Sequence, residues 1–257
     1  MSPGSPPRSS APPSAIFVKV GRFSLVTEIA TGSLGSRWIG FIAEGAERGR
    51  LITARRIRTA ADLGAASLLE LAAAVAKEVR HAKVAAVLDV VRTANEVVVV
   101  SEHIDGEVLS SLIGLAALES SSIPTGVAVA IARDLLDAEM AVRDTWLAQV
   151  SSPDDPLRRT VHGGLQPDCV LVASFGEALL TELGVVGAAT SLPRFARLAS
   201  ALPYRAPEQL DPKARIDERA DVFTVGVMLW EMLAGQPLFG PPDRLRRPTA
   251  TGSIHEL

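Results

Sequence analysis

Cysteine, histidine and aromatic side chains are scarce in this chain. A single cysteine, Cys169, among 257 residues excludes an internal disulfide framework and any multi-cysteine metal site. The four histidines are scattered and do not make a zinc-ligand set. Excess charge of one sign is also missing. With 26 Lys and Arg against 29 Asp and Glu, the net charge of −3 gives no electrostatic footprint for a nucleic acid partner. Apolar residues make up 47% of the chain, enough for a globular core, but charged residues interrupt every run before it reaches membrane-spanning length. No transmembrane helix is expected. The opening MSPGSPPRSSAPPS lacks the apolar stretch of a signal peptide and reads as a Pro/Ser-rich disordered tail over residues 1–20. A cytoplasmic setting is the default expectation.

What is present is a change of periodicity along the chain. FSLVTEIATGSLGSRWIGFIAEG alternates apolar and polar residues around a glycine-containing turn, the pattern of a β-hairpin, and LITARRI follows as a third strand. Ala65 to Val79 has helical spacing through Leu68, Leu69, Ala72, Val75, Ala76 and Val79. VAAVLDVV and EVVVVSEHI are two β-branched runs, read as paired strands. After Asp105-Gly106 the pattern turns helical, over Val108 to Leu118 and over Pro124 to Leu147, the latter with Val127, Ile131, Leu135 and Val142 on one side. SSPDDPLRR is a polar loop, and short strands follow up to Leu192. ERADVFTVGVMLWEMLAG is apolar on nearly every side, which predicts a buried central helix closed by Gly235. Strands first and helices later predict a sheet-rich lobe over 21–105 and a helical lobe over 106–240, with a tail at 241–257.

The order of motifs between Thr160 and Glu208 is similar to that of the eukaryotic-like Ser/Thr protein kinase family. His162-Gly163-Gly164-Leu165-Gln166-Pro167-Asp168-Cys169 followed by Val170-Leu171-Val172 resembles the family's H-R-D-L-K-P-x-N loop and strand. Glu182-Leu183-Gly184 resembles D-F-G, Ala206-Pro207-Glu208 reproduces A-P-E, and Asp221 matches the aspartate of the family's helix F. Ala30 to Gly35 resembles the glycine-rich loop through Gly32 and Gly35, and Arg55, or Arg56 one register on, stands for the strand lysine. Its helix glutamate partner aligns with Ala72, and Arg37 replaces a small apolar residue above the adenine. The resemblance implies an α+β, bilobal protein-kinase-like fold, with an antiparallel sheet plus one helix in the N-lobe and a helical C-lobe truncated after helix F.

The same resemblance implies ATP and Mg²⁺ as ligands, with Gly32, Gly35, Arg55 and the lobe connection at Glu102 and Ile104 on the nucleotide and Glu182 on the metal. The chemistry is depleted. The base aspartate is Gly164, its lysine neighbour is Gln166, and the asparagine metal ligand is Cys169, a soft donor poorly matched to magnesium. Phosphoryl transfer depends on placed charges and metal ions. The expectation is therefore a pseudokinase that binds protein partners and holds ATP weakly or not at all. The alternative is an active Ser/Thr kinase with Glu182 on magnesium and Asp168 as base. A small-molecule phosphotransferase, whose loop often reads H-G-D, is the remote third reading, because PYRAPE and DVFTVGVMLWEML are foreign to it.

Overall fold

The computed structural model describes residues 17–32, 35–59, 63–149, 164–190, 202–211, 214 and 216–239. His162 and Gly163, the SSPDDPLRR loop, most of the N-terminal tail and the segment 241–257 lie outside the described residues.

The first half forms a six-stranded antiparallel sheet of spatial order β1-β2-β3-β4-β6-β5. Its strands are β1 (Val18–Val20), β2 (Phe23–Gly32), β3 (Gly35–Ile42), β4 (Leu51–Arg58), β5 (Val87–Arg92) and β6 (Glu96–Glu102). Strand β1 corrects the tail expected over residues 1–20. Val20 is buried and Val18 packs beside it, so the alternation of Val18-Lys19-Val20 pays for one more strand against β2. The four consecutive valines of β6 divide by parity. Val98 and Val100 join Phe23, Leu25, Ile42 and Ile52 on one face, while Val97 and Val99 face the helix α1 (Leu63–Ala76) on the other.

Helix α1 sits close to its neighbours because its buried face is mostly alanine: Ala65, Ala66, Ala72, Ala73 and Ala76. Gly184, in a left-handed conformation, approaches it so closely that an added Cβ would lie 2.6 Å from the Ala72 carbonyl oxygen. The position of the family's helix glutamate is thus a backbone packing point.

The second half is helical around a small antiparallel sheet. Strands β7 (Gly106–Val108), β8 (Val170–Ala173) and β9 (Ala178–Leu180) pair in that order beside helices α2 (Leu109–Leu118), α3 (Thr125–Gln149), α4 (Val186–Thr190) and α5 (Arg219–Ala234). Gly235 caps α5 with φ 66°, its N–H donating to the Glu231 carbonyl. Two expectations about these helices need correction. On α3, Ile131, Leu135 and Val142 are buried but Val127 is exposed. On α5, Val225, Met228 and Met232 are buried against α3, whereas Val222, Trp230 and Leu233 face outward, so the helix is apolar all round without being covered all round among the described residues. No described helix is long and apolar enough to cross a membrane.

The halves are joined through the loop after α1. Ala85 N–H donates to the Leu180 carbonyl, Leu180 N–H donates to the Lys83 carbonyl, and Lys83 Nζ reaches Asp134 on α3 (3.3 Å) and Glu177 (2.8 Å). Asp134 also accepts from the Ala178 N–H. These bonds fix β9, and hence the segment that follows it, below β4.

One buried group in α3 carries a stability prediction. Glu139 is buried with its Oε1 unpartnered, and burial followed by the nearby Asp221 carboxylate on α5 pushes its carboxyl well above the ordinary value of 4.5. A raised carboxylate favours folding below that value and costs stability as pH rises from there towards the folded value. Glu139→Gln is therefore expected to raise the melting temperature at pH 7 by roughly 2–4 °C and to leave it unchanged near pH 4. Melts at the two pH values test this, and equal shifts at both would contradict it.

Candidate functional site

Between the lobes lies a cavity of about 600 Å³ lined from β2, β3, β4, β6, the lobe connection, β8 and the segment after β9. Gly32, Arg55, Glu102, Ile104, Gln166 and Glu182 line it. Gly35, Gly164 and Cys169 do not, so the structure brings together six of the nine residues singled out from sequence and leaves three behind the wall.

The centre of the site is an ion cluster. Arg55 Nε donates to Glu182 Oε2 at 2.8 Å and Arg55 Nη2 to Oε1 at 3.1 Å, a two-pronged pair. Arg37 Nε donates to the same Oε1 at 3.0 Å, and Arg37 Nη2 donates to the Asp168 carbonyl at 3.1 Å. The three side chains are nearly dry, at 12%, 14% and 7% exposure for Arg55, Arg37 and Glu182. Strand register sorts the two candidate arginines. Arg55 points into the cavity, while Arg56, on the opposite face of β4, pairs with Glu96 at 2.9 Å and lies over Trp38.

Glu182 is delivered to this cluster by its backbone. Thr181 N–H and its hydroxyl both donate to the Cys169 carbonyl, and Glu182 follows with φ 61°, a left-handed conformation that costs a non-glycine residue about 1 kcal/mol. Burial pushes the Glu182 carboxyl up, but Arg55 and Arg37 outweigh it and hold the group below the ordinary carboxylate range. Both its oxygens are taken by guanidinium groups.

Packing closes two of the catalytic-loop positions, Gly164 and Cys169, while Gln166 lines the cavity. An added Cβ on Gly164 would meet Val186 Cγ1 at 2.4 Å, so the volume a side chain would need there belongs to α4. Cys169 is buried, its Sγ directed at the Gly164 carbonyl, and burial first, then the Glu182 charge, pushes the thiol up to about 12. It stays a protonated thiol at neutral pH. Asp168 is exposed, and its Oδ1 accepts from the Ser110 hydroxyl while its backbone holds Arg37. Among the described residues no three His, Cys, Asp or Glu side chains converge as a metal site.

Gly35 has φ 99° and an added Cβ would sit 2.0 Å from the Arg56 carbonyl, so only glycine turns the hairpin so tightly against β4. Glu102 spends its carboxylate on the Ala86 N–H (2.8 Å) and on Arg50 (3.6 Å). His103, missed from sequence, turns back into the cavity, within 3.2 Å of the Thr53 hydroxyl and 3.3 Å of Asp105.

Comparison with known proteins bears on the family and the fold. The protein kinase domain profile fits residues 62–249. The chain is 23% identical over 235 residues to the Ser/Thr protein kinase pkn2 of Myxococcus xanthus, covering 87% of this chain and 26% of that protein. It is 28% identical over 142 residues to PknL of Mycobacterium tuberculosis, covering 54% of this chain and 31% of that kinase. The chain thus spans about a third or less of the length of these relatives. The kinase domain of Mycobacterium tuberculosis PknI shares the fold, with a TM-score of 0.66 at 18% identity over 91% of this chain and 83% of that one. By profile, with the fold in agreement, the chain belongs to the protein kinase domain family.

Proposed function

We propose that this chain is a pseudokinase, a protein kinase fold that acts by binding protein partners and does not transfer phosphate. The observation that carries the reading is the Arg55–Glu182–Arg37 cluster. In the family the strand lysine binds phosphate and the D-F-G carboxylate binds magnesium. Here the residues at those two positions bind each other. Magnesium requires near-octahedral oxygen ligands. Glu182 has both oxygens committed to guanidinium groups and Cys169 is a protonated thiol, so the residues present do not fit the ion. Val186 occupying the space beside Gly164 supports the same conclusion for the missing base.

The active alternative needs Asp168 as base. Its engagement with Ser110 and Arg37 supports a loop-bracing role instead. The outward Val222, Trp230 and Leu233 on α5 supply apolar surface of the kind that protein partners cover. A cytoplasmic setting belongs to the same proposal.

The test is transfer of radiolabelled phosphate from ATP with magnesium to generic protein substrates. No incorporation above a heat-denatured control is expected. Incorporation that disappears on Glu182→Ala would overturn the reading.

A further inference from the structure

Helix α3 carries apolar side chains on its outer face as well as on its buried one. Val129, Leu136, Met140 and Leu147 are between 37% and 52% exposed. Steps of three and four residues stay on one face of a helix. These four, with Arg133 and Arg143 between them, follow each other at steps of four, three, four, three and four. They make one stripe about 27 Å long at 1.5 Å per residue. Val127, also exposed, stands on another side. A single exposed apolar residue is ordinary, whereas an aligned row of four marks a surface that another molecule covers. No residue of α3 lines the cavity between the lobes, so this face is separate from it.

The order of the side chains bears on what covers the stripe. It runs apolar, arginine, apolar, apolar, arginine, apolar, and it reads the same in both directions about the level of Ala138. A second copy laid antiparallel therefore meets it apolar on apolar, Val129 facing Leu147 of the second copy and Leu136 facing its Met140. The charges agree with this register. At 3.6 residues per turn Asp144 falls on the same flank of the stripe as Arg133. A twofold axis across the pair keeps like flanks together, so Asp144 of the second copy comes level with Arg133, and the contact occurs twice. Both groups have capacity for it. Arg143 Nε and Nη2 donate to Asp144 Oδ1 at 3.0 and 2.9 Å, and neither uses Oδ2. Arg133 Nη2 donates to Asp134 at 3.2 Å, but its side chain is 70% exposed and a guanidinium has five donors. Asp137, on the same flank, lies one turn from Arg133, whose charge offsets it.

We propose that the outer face of α3 is a self-association surface, on which two copies of this chain pair antiparallel with Arg133 of each on Asp144 of the other. One helix face is at the small end of specific interfaces, so the dimer forms and dissociates in the micromolar range. The pairing is independent of whether the cavity transfers phosphate.

Sedimentation equilibrium of the full chain between about 1 and 500 μM tests this, with half-dimerisation expected inside that range. Arg133→Asp and Asp144→Arg each set like charges against each other across the axis and are expected to weaken the dimer at least tenfold. Both positions are exposed, so each variant is expected to keep the native melting temperature to within about 3 °C. Mixing the two variants puts opposite charges in both contacts again, and the mixed dimer is expected to return to within about threefold of the native affinity. Met140→Glu is expected to abolish the dimer, with no recovery on mixing with either variant. A chain that stays monomeric throughout overturns the proposal and leaves the face to a different protein. A dimer indifferent to both charge variants, or two weakened variants that do not recover on mixing, also overturns it. Phosphate transfer from ATP would overturn the pseudokinase reading and leave this pairing standing.

Discussion

Replacing Glu182 with Ala is expected to lower the melting temperature at pH 7 by roughly 6–20 °C. The substitution leaves Arg55 and Arg37 buried and facing each other with no carboxylate between them. Removing one partner of a buried pair costs about 3–5 kcal/mol, and in a chain of this size each kcal/mol moves the midpoint by about 2–4 °C. Glu182→Gln, which keeps one acceptor but not the charge, is expected to fall between. The pH dependence has a definite sign. Because the folded carboxyl is held below its ordinary value of 4.5, its contribution is present above that value and disappears as pH falls through the folded one. The variant should therefore differ from the native chain strongly at pH 7 and much less in acid. The contrast with a metal-binding role is sharp. A carboxylate kept to hold an ion is a stability liability in the metal-free protein, and its removal raises the midpoint. Melts in EDTA that show an unchanged or raised midpoint would remove the cluster as the structural role of Glu182.

Gly164→Asp is expected to fail in two ways. It restores the residue type that accepts the substrate proton in the family, a group worth roughly 10²–10⁴ in rate where the site around it is competent. Here the new Cβ would lie 2.4 Å from Val186 Cγ1 and 3.2 Å from the Val186 carbonyl carbon. Relief requires moving α4 or displacing the loop, at about 1–3 kcal/mol for overpacking, with a carboxylate added to a buried site. The midpoint should fall by roughly 4–10 °C. The triple variant Gly164→Asp, Gln166→Lys, Cys169→Asn should transfer no more phosphate than the native chain, since the Glu182 cluster is untouched. Adding Val186→Ala should recover part of the lost stability without conferring activity, which separates the steric cause from the electrostatic one. Phosphate transfer by the triple variant would show that the packing around Gly164 yields more readily than the distances imply.

The strands and long helices were legible because each carries its own period. The alternation of β2, β3 and β4 and the alanine face of α1 need only neighbouring residues to be read. Helix α4 and strand β7 were not legible, being five and three residues long. The glycine and cysteine in place of catalytic residues could be read directly, but what fills their space could not. Val186 reaches Gly164 through tertiary packing that has no periodic trace. The ion cluster left one faint mark. Where the family carries the lysine, the aspartate, the helix glutamate and a small apolar residue, this chain has Arg55, Glu182, Ala72 and Arg37. Taken singly each difference removes an expected group, and the set taken together exchanges one ion pair for another. Whether Arg55 or Arg56 belonged to the set depended on the facing of β4, which pairing with β3 and β6 decides.

The same cluster bears on the order in which the chain assembles. Glu182 meets Arg55 across 127 positions and Arg37 across 145, so the contacts close loops spanning about half of the chain. Closing such a loop costs entropy that local contacts must first offset, which puts this contact late in folding, after the sheet and α1 have formed. Its free energy then appears mainly in how slowly the native state opens, and little in how quickly it is reached. On the proposed function, residues whose counterparts in related kinases set a rate of chemistry are expected here to set a rate of unfolding.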